Sequence, residues 1–245
     1  MLDTISFLKY AFSGILTFFS AISMFDKMNY LANTESIKNF LSVYETEKNV
    51  LKTKFNDIIV YKGKETKAAM IFYPGANVEY TAYEPLMASC AEKGIMSILF
   101  KMPLNFALFN IDAAKEIKSK FPEIKNWYIG GHSLGGVAAG LYASKHIDEF
   151  KGLIFFASFT INNFSKTNLK VLSIYGSEDK VLVKPVYNMF KKFFPSNFTE
   201  VVINGGCHSY FGMYGVQKGD GVPTISNAEQ IEFTATQIAK LEEEE

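Results

Sequence analysis

The sequence predicts an α/β fold: a doubly wound, mostly parallel sheet of about seven strands flanked by helices, with no cap domain. From Asp57 onward, short apolar runs alternate with helical patterns. The runs are nearly continuous in apolar character, as strands covered on both faces must be. A cluster of glycines, Gly130, Gly131, Gly135 and Gly136, separates one run from an Ala/Gly-rich helical pattern. With 48% hydrophobic and 15% aromatic residues, the 245-residue chain can bury a large core.

In chain order, Ile58–Tyr61 and Ala68–Tyr73 are apolar runs separated by the turn-like Lys62–Thr66, which predicts a hairpin or neighbouring strands. Pro74 and Gly75 end the second run, and a helix follows around Tyr83–Lys93. Strand Ile95–Phe100 precedes helix Ile111–Lys120, and strand Trp127–Ile129 precedes helix Gly136–His146. Strand Gly152–Phe156 is followed by a short connector. Strand Val171–Tyr175 leads to helix Val183–Phe194, and strand Glu200–Ile203 to a closing helix, Asn227–Leu241.

Ahead of this domain (57–245), residues 28–56 read as a helical linker, with Thr34–Ser36 starting a helix. Residues 1–27 form a hydrophobic segment in which Tyr10–Phe25 gives sixteen positions without a charge. That run is shorter than the roughly 20 residues of a spanning helix. Lys9 before it and Ala21–Ser23 near its end also fit a signal peptide. Ser13, Thr17 and Ser20 opposite Phe12, Ile15, Phe19 and Ile22 fit a helix packed on the domain. Anchor, signal and packed helix all stay open. Membrane association through residues 10–25, or export, is the favoured expectation, and a cytoplasmic location is the alternative.

Lys and Arg (25) balance Asp and Glu (25), so no basic face argues for a nucleic-acid partner. Two cysteines, Cys90 and Cys207, cannot make a disulfide framework. The three histidines, His132, His146 and His208, lie at no metal-ligand spacing, which argues against a zinc site, and the nucleophilic chemistry the sequence points to requires neither a metal nor an organic cofactor.

Gly131-His-Ser-Leu-Gly135 is a G-x-S-x-G between a strand and a helix, the context in which a serine is pushed out on a sharp turn as a nucleophile. Ser133 is the candidate. A serine needs a base, and the base needs a third group to hold its tautomer. In a parallel sheet these should follow strand ends. Asp179, after Val171–Tyr175, is the candidate carboxylate, with Glu178 the neighbouring alternative. His208, after Glu200–Ile203, is the candidate base, because His132 lies within the elbow and His146 ends a helix. Backbone N–H groups of Leu134 and Ala76 are candidates for an oxyanion site, with Asn77 the alternative to Ala76 and Pro74 excluded for lack of a donor. Cys207 adjoins the base but lacks the elbow context.

The order Ser133, Asp179, His208 and the elbow make the chain from Asp57 to Leu241 resemble the α/β-hydrolase superfamily. Tyr73–Tyr83, Lys101–Asn105, Gly205–Gly212 and Gly215–Ser226 are similar to a compact, lid-less bacterial group related to dienelactone hydrolase. The resemblance implies a serine version of that group, since dienelactone hydrolase has a cysteine at the position of Ser133. It also implies an N-terminal hydrophobic anchor. Cys207 stands where the group often has Asn. Lids in this fold usually follow the strand equivalent to Gly152–Phe156, and Ala157–Leu169 is too short to form one, so an open site is expected. Met102, Leu104 and Phe106, with Tyr210 and Phe211 beside the base, are candidates for a substrate-pocket wall or for core. Asp220 reads as structural. Together these features point to a serine hydrolase of small or medium carboxylic esters or thioesters, its partner a small-molecule ester. An acyltransferase using the same residues, or a non-catalytic binding module, is the alternative.

Overall fold

The computed structural model describes residues 29–47 and 49–243. The expectations for residues 10–25 therefore lie outside the described residues. Within them, no helix is long and apolar enough to cross a membrane.

Eight strands form one sheet: β1 (Val50–Phe55), β2 (Ile58–Gly63), β3 (Ala68–Tyr73), β4 (Ile95–Phe100), β5 (Trp127–His132), β6 (Gly152–Phe156), β7 (Lys170–Gly176) and β8 (Thr199–Ile203). Their order is β1-β2-β4-β3-β5-β6-β7-β8. β2 runs antiparallel to both its neighbours, while β4, β3 and β5 to β8 are parallel. Side chains alternate along each strand. On β3, Ala68, Met70 and Phe72 face one core with helices α1 (Thr34–Glu47), α2 (Glu84–Glu92) and α5 (Asn227–Glu243). Ala69, Ile71 and Tyr73 face the other, with α3 (Leu134–Ala143) and α4 (Lys184–Phe190). This is the doubly wound sheet that the sequence predicts.

Three elements differ from expectation. The 28–56 linker holds a helix but also β1, an edge strand paired along its whole length with β2. Its sequence, Val50-Leu-Lys-Thr-Lys-Phe55, carries lysines because the strand is largely exposed, as edge strands usually are. β2 and β3 are not a hairpin, since β4 lies between them. The hairpin is β1–β2, turned at Asn56, whose φ of 51° asparagine tolerates. The helix expected over Ile111–Lys120 is a series of 3-10 turns covering Ala107–Ala114 and Lys118–Lys120. Here the Tyr73 hydroxyl donates to Ile111 O at 2.6 Å and accepts from Ala114 N at 3.2 Å, replacing the i→i−4 bond at Ala114. Asn110, at φ −149°, breaks the run.

The chain enters the described fold beside the loop that follows β3. Tyr30 bridges Val78, with Tyr30 N–H to Asn77 O at 2.8 Å and Glu79 N–H to Tyr30 O at 2.9 Å. Asn33 N–H reaches Met213 O at 2.8 Å.

At the centre of the first core, Phe156 meets Phe72 edge-on at 5.3 Å and Phe211 at 5.8 Å between ring centroids. Phe156→Ala is expected to lower unfolding free energy by about 3–5 kcal/mol. Leu51→Ser on the exposed edge strand should shift it by less than about 0.5 kcal/mol. Urea denaturation of both variants checks the contrast.

Candidate active site

β5 runs into α3 with no loop between them, and Ser133 takes the turn at φ 52° and ψ −124°. A side chain in that region is strained by about 1–3 kcal/mol unless its surroundings hold it. They do so from β6: Ser133 N–H donates to Phe156 O at 2.9 Å, and Ser158 Oγ donates to Ser133 O at 2.6 Å. The turn also demands close approach. A Cβ on Gly135 would lie 2.2 Å from Tyr73 O and 2.3 Å from Pro74 O, so only glycine lets α3 begin against the end of β3.

Asp179, after β7, is buried. Its Oδ1 accepts from Val181 N at 2.9 Å and Leu182 N at 2.7 Å, and its Oδ2 accepts from His208 Nδ1 at 2.9 Å. Burial alone would push this carboxyl up. The charge and hydrogen bond of His208, with the Leu182 N–H, outweigh it and hold the group below its usual range. Glu178 instead accepts from Ser177 Oγ at 2.9 Å and has no bond to His208.

His208 is buried after β8, and its Nε2 has no hydrogen-bond partner among the described residues. Ser133 and His208 line one cleft of about 20 Å³, room for a single water, closed by Ala157, Ser158, Phe159 and Val181–Val183. The structure thus brings Ser133, Asp179 and His208 to the carboxyl ends of β5, β7 and β8.

The loop after β3 presents Ala76. Asn77 N–H is engaged with Asn105 O at 2.9 Å and Val78 N–H with Gly75 O at 3.3 Å, while Ala76 N–H lies outside the described backbone bonds. Leu134 N–H heads α3.

The apolar pocket candidates lie elsewhere. Met102 is buried, and with Leu104 it lines a separate open recess of about 630 Å³ bounded by Ile58, Phe100 and Asn110. Leu104 itself is 82% exposed. Phe106 packs at 5.1 Å on Phe109. Phe211 is fully buried against His132 and Phe156, and Tyr210, beside it, does not line the cleft. An apolar residue near a strand end fits core and pocket equally well in sequence. The cleft shared by Ser133 and His208 is lined by Ala157–Phe159, directly after β6, and by Val181–Val183, in the connection from β7 to α4.

Three further groups fix the site; the sequence reads Asp220 as structural and gives His132 and Gln230 no role. His132 Nε2 donates to the His208 carbonyl at 3.0 Å. Its Nδ1 accepts from the Tyr83 hydroxyl at 2.8 Å, which in turn accepts from Gly75 N–H at 3.1 Å. Gln230 of α5 clamps the peptide before the base, accepting from Cys207 N at 3.0 Å and donating to Cys207 O at 2.9 Å. Asp220 accepts from His208 N at 3.2 Å, Ser209 N at 2.9 Å and Gly221 N at 2.8 Å. The Cys207 thiol is pushed up to about 12, first by burial and then by Asp220, so it stays protonated and unreactive at neutral pH.

The elbow turn on a doubly wound sheet defines the class of α/β hydrolases. The chain matches the alpha/beta hydrolase family over residues 69–232, and it belongs to that family. Its fold is similar to a predicted CIB-like hydrolase from Thermoplasma acidophilum, at 12% identity and TM-score 0.57, covering 78% of this chain and 98% of that one. It is likewise similar to a Thermus thermophilus protein, TT1662, at 13% identity and TM-score 0.57, over 80% of this chain and 99% of that one. A third likeness is to dienelactone hydrolase from Anabaena variabilis, at 11% identity and TM-score 0.57, over 79% of this chain and 97% of that one. Similarity at these identities is one of fold. No curated protein matches the chain.

Burial, then the nearby His208 charge, holds the His132 imidazole well below its ordinary value, so it is neutral in the folded chain. In the unfolded chain it takes up a proton near pH 6.5. Protons therefore favour unfolding, and this contribution to stability is present above about pH 6.5 and falls as the pH drops below it, by up to ~1.4 kcal/mol per pH unit. Asp179, also depressed, adds its own loss only in the carboxylate range. The stability gap between wild type and His132→Asn should narrow between about pH 7 and pH 5; urea melts across that range check it.

Proposed function

We propose that the protein is a serine hydrolase of carboxylic esters or thioesters with small acyl groups. The observation that carries this reading is the His208 imidazole, bonded through Nδ1 to Asp179 at 2.9 Å with Nε2 unengaged, in the cleft it shares with the strained Ser133. In the proposed reaction Ser133 Oγ attacks the ester carbonyl while His208 Nε2 takes its proton. The Asp179 carboxylate keeps the proton on Nδ1 and stabilises the imidazolium. Leu134 and Ala76 N–H groups bind the tetrahedral oxyanion, the former at the positive end of α3. Collapse expels the alcohol or thiol, which takes the proton from His208. Water then repeats the sequence on the acyl-enzyme, and the acid leaves.

Phe159 and Leu182 line the cleft beside Ser133, and their crowding there favours short acyl groups over long ones. The Cys207 thiol, held protonated, does not compete as the nucleophile.

Hydrolysis of p-nitrophenyl esters from acetate to palmitate tests the reading. Wild type is expected to prefer the short end of the series. Ser133→Ala and Asp179→Asn should each reduce kcat by about 10⁴-fold or more, with Ser133→Ala also refusing a fluorophosphonate label. Wild-type turnover in a pure Ser133→Ala sample would overturn it.

A further inference from the structure

We propose that the face carrying the Ser133 cleft docks on a lipid surface, so that the enzyme draws its ester from the lipid–water boundary. The inference deepens the esterase reading and rests on it. Of the eleven large apolar side chains exposed among the described residues, six lie in the loops around this face, Leu31 (69%), Leu104 (82%), Phe109 (63%), Val183, Val216 and Val222 (82%), while Val43, Leu51, Met189, Val202 and Phe233 are spread over helices and edge strands. Leu104 and Phe109 follow β4, Val183 follows β7, and Val216 and Val222 follow β8, all at carboxyl ends of parallel strands. Leu31 joins them because Tyr30 is bridged to Val78 after β3. Apolar side chains gathered on one functional face mark an interaction surface.

The apolar N-terminal run argues for a lipid surface as the occupant of that face. Tyr10–Phe25 carries no charge over sixteen residues. Residues 26–29 separate this run from Tyr30, which hydrogen-bonds to Asn77 and Glu79 on the loop that carries Ala76. The five residue steps from Phe25 to Tyr30 reach at most about 18 Å. A strand of six residues is already about 20 Å long. The link from the apolar run to Tyr30 at the carboxyl edge is thus shorter than one strand of the sheet. If the run enters a bilayer, the Ser133 face is the one brought against the headgroups, and the exposed side chains above are the ones that meet them. Affinity for such a surface grows with buried apolar area, so the two features reinforce one another.

The test uses the full chain with one introduced thiol, because Cys90 and Cys207 are both buried. Val222→Cys and, on α4, Met189→Cys are each labelled with an environment-sensitive fluorophore and mixed with phosphatidylcholine vesicles. The label at 222 is expected to shift to the blue and lose quenching by aqueous iodide, while the label at 189 keeps its spectrum. The proposal is overturned if 189 shifts as much as 222, or if neither shifts. It is equally overturned if 222 shifts without vesicles as protein concentration rises, which would make the face a contact between two copies. Turnover of soluble p-nitrophenyl butyrate by the unlabelled chain is measured in parallel. Its absence beside a shift at 222 would leave the docked face in place and remove the esterase reading alone.

Discussion

The site depends on one buried imidazole. His132 cannot bond the His208 carbonyl unless Nε2 carries the proton, because a carbonyl only accepts. Nδ1 must then accept, so Tyr83 donates to it and uses its own lone pair for Gly75 N–H. Every direction in the chain is set by that one carbonyl. The result joins the loop after β3, the elbow after β5 and the loop after β8 through direct hydrogen bonds between neutral side chains and backbone. Burial keeps Tyr83 protonated and His132 neutral, which are the forms the chain requires. In such surroundings a lost partner would orphan the next group, at about 1–3 kcal/mol for each. The absence of a Cβ at Gly75 is part of the same arrangement, since one would lie 2.7 Å from His132 Nδ1 and 2.9 Å from the Tyr83 oxygen.

Strain at Ser133 is the complementary constraint. Its backbone would relax if either flank could move, but α3 is jammed against Tyr73 and Pro74 through Gly135, and β6 holds both Ser133 N–H and, through Ser158, its carbonyl. Ala157, next to Ser158, is itself at φ 45°. Two strained residues on adjacent strand ends therefore face the same cleft, and the packed sheet beneath supplies the energy that keeps them there.

The strands were legible because burial on both faces makes them continuous apolar runs, and the placement of Ser133, Asp179 and His208 together because each directly follows or ends near a strand of a parallel sheet. β1 was not, since its lysines suit an exposed edge and mimic a linker. Nor were the 3-10 turns after Ala107, whose hydrogen bonds go to Tyr73 from a distant strand. Phe211 and Met102 carry the residue types of a pocket wall, yet both are core. His132 sits inside the motif that drew attention to Ser133, and its role depends on Tyr83 and His208, far away in sequence, so no local pattern could reveal it.

His208 is held by a segment, residues 204–226, that has almost no regular structure. A loop of that length would ordinarily be free to move. Here Asp220 gathers the N–H groups of His208, Ser209 and Gly221, and its carboxyl stays ionised because those bonds and the His208 charge outweigh burial. Gln230 fixes the preceding peptide from α5. Met213 N–H bonds Ala82 O at 2.8 Å, and Met213 O receives Asn33 N–H. The stretch Tyr30–Asn33 is thereby bonded both to the loop that presents Ala76 and to the loop that presents His208. Displacing Tyr30–Asn33 would therefore disturb both loops at once, because its backbone bonds reach Asn77 and Glu79 on the first and Met213 on the second.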